Sequence, residues 1–152
     1  MINRLAHRRV VTGLNQQGQS CVVIDGPIPR FNGISAALAW RTDKLPADNA
    51  GSEDAAAPYA VDMLHTPGSN FAICEFLPGA HAVMHATDTI DYLVIVSGEV
   101  RLVLEAGDVT VGPGDFVIDR GVLHGWQNDG SEPCVAAVVN LPALPVGKGR
   151  TI

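Results

Sequence analysis

Glycine and proline interrupt this chain so often that long helices have little room. There are 16 glycines and 10 prolines in 152 residues. Most segments between them are short and rich in β-branched residues, and a helical repeat is hard to find. Short apolar runs separated by regular turn signals predict an all-β sandwich or barrel.

The N-terminal third reads as two strands, Arg9–Thr12 and Ser20–Ile24, joined by the polar turn Asn15–Gly18. Gly26–Arg30 carries two prolines and is predicted to be loop. Ile34–Arg41 is apolar, with Trp40 as a hydrophobic anchor, and is compatible with a strand or a short helical turn. Lys44–Pro58 is a long insert rich in Ala, Asp, Pro and Gly, predicted to be a mobile loop and not a domain linker. Strands are then expected at Asn70–Phe76, Ala82–His85, Thr89–Val96, Glu99–Leu104, Asp108–Val111, Asp115–Ile118, His124–Asn128 and Cys134–Leu141. Val100, Leu102 and Leu104 alternate onto one face. Such spacing predicts antiparallel, sequential pairing, closed into a barrel that hides its edges. The organisation expected is one domain: residues 1–69 as strands and loop that extend a barrel, 70–141 as its core, and 142–152 as an extended surface tail.

Hydrophobic residues make up 47% of the chain and charged residues 17%, which suits one buried core and argues against disorder. The net charge is −6 and the basic residues are scattered, so neither nucleic acid nor an anionic membrane is the expected partner. Met1–Arg9 holds no apolar stretch of the kind a secretory signal needs, and no run approaches the roughly 20 apolar residues of a spanning helix. Cys21, Cys74 and Cys134 are odd in number and far apart, as for free thiols in a reducing compartment. A cytoplasmic protein is expected.

Two stretches carry a resemblance. The first reads Gly79-AHAVM-His85-Ala-Thr87-DTI-Asp91-YLVIVS-Gly98, and the second Gly121-VL-His124-GWQ-Asn128, preceded by Gly114-Asp115. Together they resemble the two motifs of the cupins, over roughly Asn70 to Leu141. The stretch from Gly114 to Gly121 is one residue shorter than usual, and Arg120 stands where a proline is common. The resemblance implies a double-stranded β-helix, or jelly-roll barrel, with extra N-terminal strands that extend one sheet or cross to a partner, and it implies a homodimer.

In that family the two histidines and the glutamate of the first motif, with the histidine of the second, hold one metal ion. Here His85 and His124 match, Thr87 occupies the second histidine position and Asp91 the glutamate position. Two imidazoles and one carboxylate can hold an octahedral metal on one face and leave positions open, which favours Fe, Mn or Ni, with Zn possible. Asp91 is one methylene shorter than glutamate, and Thr87 is at best a weak neutral ligand. The alternative is a metal-free pocket in which His85 hydrogen-bonds Asp91 and the pair serves as a general acid and base.

Around this set, Arg120 is a candidate clamp for a substrate carboxylate or else a surface ion-pair partner. Asp119 points inward or caps a turn. Trp126 alternates with His124 and either shares the pocket face or packs in the core, while Thr87 is placed to touch substrate. Asp88 and Thr89 are read as turn-shaping, His81 as exposed and Tyr92 as facing away; His7 and His65 lie outside both motifs. The resemblance implies an enzyme acting on a small oxygenated or carboxylate metabolite by isomerisation, dehydration, decarboxylation or oxygenation. The rival is a metal-free binding or sensing module in the same cavity. A storage or structural role has least support.

Overall fold

The computed structural model describes residues 7–29 and 35–152. It is built from strands β1 Arg8–Leu14, β2 Ser20–Pro27, β3 Ala36–Thr42, β4 Ala57–Pro58, β5 Ser69–Phe76, β6 Thr89–Ser97, β7 Val100–Leu104, β8 Val109–Val111, β9 Phe116–Asp119, β10 His124–Gln127 and β11 Cys134–Pro142. One 3-10 turn at Val61–His65 precedes β5. Among the described residues no helix is long and apolar enough to cross a membrane.

Six strands form one sheet in the order β4-β3-β5-β11-β6-β9, and three form another in the order β10-β7-β8. The two sheets share one core. Leu38, Ala72, Leu93, Ile95, Cys134, Ala136 and Val138 from the larger sheet pack with Val100 and Val111 from the smaller. Period-two alternation does this: Leu93 and Ile95 are buried while Tyr92 and Val96 are exposed. Leu38 and Ile95 are essentially inaccessible, and burial of each contributes about 1.5–3 kcal/mol.

The all-β jelly roll expected from the sequence is met, and the strand positions agree closely, with exceptions. Pairing is antiparallel and only partly sequential: β1 pairs with β2, β3 with β4 and β7 with β8, but β11 lies between β5 and β6, and β10 pairs with β7. Ala82–His85 is not a strand; only His85 forms a bridge, to His124. Gly26 and Pro27 belong to the end of β2, where a two-stranded ribbon leaves the proline without a ladder bond to donate; Arg30 lies outside the described residues. Ala36–Thr42 resolves the earlier ambiguity as strand, and Ile34 is outside the described residues. The insert 44–58 ends in β4, paired with β3, so β3 and β4 extend the large sheet. The β1–β2 ribbon is a separate hairpin. Arg9 ties it to the rest, donating to the Ala39 carbonyl at 3.0 Å and pairing with Asp54.

The cysteines are free, and two of them face the interior. Burial, with Asp91 nearby, pushes the Cys74 thiol up to about 12, and burial followed by the charge of Glu99 pushes Cys134 to about 11. Unfolded, these thiols ionise near 9.0. Between those values the folded chain holds protons that the unfolded chain has lost, so stability falls as pH rises above about 9. The slope is about 1.4 kcal/mol per pH unit for each such group. Urea midpoints at pH 8, 9 and 10 check this: a decline that Cys74→Ala makes shallower is expected, and a flat profile contradicts it.

Candidate active site at one end of the barrel

A line of polar residues crosses the inner face of the large sheet near one end. Asn70 on β5 is paired with Asn140 on β11, Asn140 with Asp91 on β6, and Asp91 with Asp119 on β9. Directly paired residues share a face, and Asn70, Asn140 and Asp91 each lie two residues along their strands from the buried Ala72, Val138 and Leu93, on that same inner face. On the other side Arg41 of β3 is paired with Asn70. Asn70, Asn140 and Asp119 are buried, so the row is an interruption of the apolar interior and not a solvated edge.

His124 opens β10 in the facing sheet and is buried. Its backbone exchanges two hydrogen bonds with His85: the His85 N–H donates to the His124 carbonyl at 2.8 Å, and the His124 N–H donates back at 2.9 Å. The ring centroids lie 4.5 Å apart. Each imidazole is anchored through Nδ1 to a carbonyl two residues earlier, His85 to Val83 at 2.8 Å and His124 to Val122 at 2.9 Å. A carbonyl oxygen only accepts, so Nδ1 carries the proton and Nε2 of each neutral ring is left to take a proton or a ligand.

Asp119 sits beside His124. Its Oδ2 lies 2.9 Å from His124 Nδ1, an ion-pair contact without hydrogen-bond alignment, because that proton is directed to Val122. Its Oδ1 accepts from the Gly121 N–H at 3.0 Å. Both readings of this residue therefore hold at once: it points inward and it caps the turn. Burial alone would lower the His124 pKa, but the Asp119 carboxylate, the Val122 carbonyl and Asp91 outweigh it and raise the value.

Asp91 is shifted upward mainly by burial, with the Asp119 charge adding to it. Hydrogen bonds from Asn140 and Thr89 and the nearby His124 oppose the shift. The Thr89 hydroxyl donates to Asp91 Oδ1 at 2.7 Å and lies 2.7 Å from the Thr87 hydroxyl. Thr87 is thus the far end of a two-hydroxyl chain to Asp91. Two carboxyl groups on adjacent strands accordingly differ in surroundings: one beside an imidazole and a backbone N–H, the other held by hydroxyl and amide groups.

The hydrogen bond expected between His85 and Asp91 is not the one formed. His85 turns its Nδ1 to Val83, and the carboxylate partner of an imidazole is Asp119, on His124. Trp126 combines its two readings, half-buried, with its ring edge-on to His124 at 6.0 Å and tilted on Phe76 at 5.3 Å. Arg120 is exposed, unlike its neighbour Asp119. His81 and Tyr92 are exposed as read. The residues missed from sequence are Asn70 and Asn140. Each was visible as a polar residue at an inward position of an otherwise apolar run.

Among the described residues, no three His, Cys, Asp or Glu side chains converge so as to hold a metal ion. Of the expected donor set, His85 and His124 each leave Nε2 open to a ligand, while Asp91 is not gathered with them into a three-donor group.

Residues 72–140 match the Cupin_2 (cupin domain) family model. A Phomopsin biosynthesis cluster protein C' of Diaporthe leptostromiformis is 35% identical over 60% of this chain and 51% of its own length. The cupin-domain-containing oxidoreductase srdD of Neurospora crassa is 31% identical over 79% of this chain and 65% of its own. The Oryzines biosynthesis cluster protein J of Aspergillus oryzae is 30% identical over 75% of this chain and 68% of its own. The chain spans about half the length of the first of these and about two thirds of the others.

Proposed function

The chain belongs to the cupin superfamily, and on that premise we propose that its barrel is a small-molecule enzyme that moves protons on an oxygenated or carboxylate metabolite. The observation that carries this reading is the His124–Asp119 pair set beside Asp91. His124 Nε2 is the base: its Nδ1 proton is held by Val122, and Asp119 stabilises the imidazolium that forms when Nε2 takes a proton. Asp91 is the acid, since burial favours its protonated form. His85 lines the site beside His124 and presents its own Nε2 to the ligand. Trp126 supplies an apolar wall against the ring edge and helps exclude water. Isomerisation, dehydration and decarboxylation each use such a pair, and fold alone does not choose among them.

The relatives' names speak of oxidoreductases and biosynthetic clusters, which supports a small biosynthetic metabolite as substrate. Exposed Phe71, Tyr92, Phe116 and Ile118, on the outer face of the large sheet, support the homodimer implied by the family.

The test is solvent-deuterium incorporation into a panel of small carbonyl and carboxylate compounds, read by mass spectrometry, on protein purified without a chelating column and analysed for metal. Exchange lost in His124→Ala, and independent of metal content, is the expected result. Ligand binding that His124→Ala leaves intact, with no exchange in the panel, would favour the binding-module reading instead. About one metal per chain, with exchange proportional to it, would replace the metal-free acid–base account.

A further inference from the structure

The loop that carries His85 is short of backbone partners from the barrel itself. Residues 80–88 contain no strand, yet Ala86 and Thr87 are buried, and buried N–H and C=O groups need partners. In an extended segment, successive residues direct these groups to opposite edges. His85 directs its pair to His124. Ala86 directs its pair to the far end of the chain: the Thr151 N–H donates to the Ala86 carbonyl at 2.9 Å, and the Ala86 N–H donates to the Thr151 hydroxyl at 2.9 Å. Two further bonds hold the same segment. The Ala143 N–H donates to the Asp88 carbonyl at 2.9 Å, and the Arg150 N–H donates to Asp88 Oδ1 at 2.9 Å. Ala143, Arg150 and Thr151 therefore supply partners on the side of this loop opposite β10.

We propose that Thr151 is a positioning residue for the site, fixing His85 and Thr87 through a two-point clamp on the residue between them. The proposal rests on the acid–base reading only for its consequence; the clamp stands on geometry. Ala86 has no side chain beyond Cβ, so its backbone alone transmits the constraint. Held at N–H and carbonyl, it sets the direction in which the His85 ring leaves the loop toward Val83 and the direction in which the Thr87 hydroxyl meets Thr89. The hydroxyl is the specific element: valine at 151 keeps the shape and the backbone N–H but leaves the Ala86 N–H without its acceptor, whereas serine keeps the acceptor.

Amide hydrogen exchange and nitrogen-15 spectra of the His85 ring, recorded on the full chain, test this. In Thr151→Val the thermal midpoint is expected to fall by a few degrees, because a buried donor has lost its acceptor. The Ala86 amide is expected to exchange about tenfold faster or more, and the His85 ring signals to shift. Thr151→Ser is expected to restore both. If Thr151→Val leaves the Ala86 amide and the His85 ring as they were, the clamp is overturned while the acid–base reading stands. If both readouts move but serine does not restore them, the hydroxyl is not the positioning element and the proposal fails. Loss of deuterium incorporation in every variant, including the unaltered chain, bears on the proposed reaction and not on the clamp, because neither readout needs turnover.

Discussion

Asp119→Ala is expected to destabilise the fold by about 3 kcal/mol and to lower proton exchange at the site by roughly two to four orders of magnitude. The stability loss has two sources. The buried carboxylate accepts the Gly121 N–H, and without it that donor is left unsatisfied, at about 1–3 kcal/mol. It also lies 2.9 Å from His124 Nδ1, so its removal takes the counter-charge from a buried imidazole. Asp119→Asn separates the two. The amide oxygen still accepts from Gly121, so about half or more of the stability returns, but the charge that favours protonated His124 is gone. Urea unfolding and deuterium exchange on both variants check this. Equal stability losses for alanine and asparagine would mean that charge dominates, while unchanged exchange in the asparagine variant would remove Asp119 from the catalytic account.

Much of the fold was legible because β structure leaves a local signature. Alternation in Glu99–Leu104 and turn glycines at 98, 107 and 114 mark strand edges without reference to anything distant. Pairing order is another matter. The placement of β11 between β5 and β6 is decided by how the sheets close over one core, and no dipeptide encodes it. The loop that carries His85 shows the same limit. Its partners are His124 and Thr151, and the latter is 65 residues from the Ala86 it clamps, so the run Ala82–His85 looked like a strand and is none.

The site divides in the same way. Motif spacing pointed to His85 and His124 as neighbours, which the structure places side by side through a backbone bridge that spacing did not foretell. It could not say which carboxylate each ring would meet, because Asp91 and Asp119 are neighbours across β6 and β9 and both face inward. The difference lies in their contacts: the Thr89 hydroxyl, itself bonded to Thr87, and the amide of Asn140 hold Asp91, while Asp119 lies against His124. A threonine in place of a second histidine is thus more than a lost ligand. It begins the chain of hydroxyls that holds the neighbouring acid.

Gly121→Ala should be the most damaging single methyl group near this site, with an expected loss of about 3–5 kcal/mol or failure to fold. Gly121 adopts φ +73, a region that costs an L residue about 1–2 kcal/mol even in open space. Space here is not open. An added Cβ would lie 2.5 Å from the Thr87 carbonyl oxygen and 3.0 Å from that of Thr89. Both obstacles are backbone, in the segment that the 143–151 tail and β6 hold in place, so neither can swing aside as a side chain would. Relief would require moving the 87–89 segment away from Gly121, which carries the Thr87–Thr89–Asp91 chain with it, or moving Gly121, whose N–H anchors Asp119. Either route separates the proposed acid from the proposed base. Gly114→Ala is the matched control, since φ is +87 there but nothing lies within 4 Å of the added Cβ. It should cost only the backbone term, so thermal unfolding of the two variants measures the contact. Similar midpoints would show that the two motifs are not interlocked at Gly121.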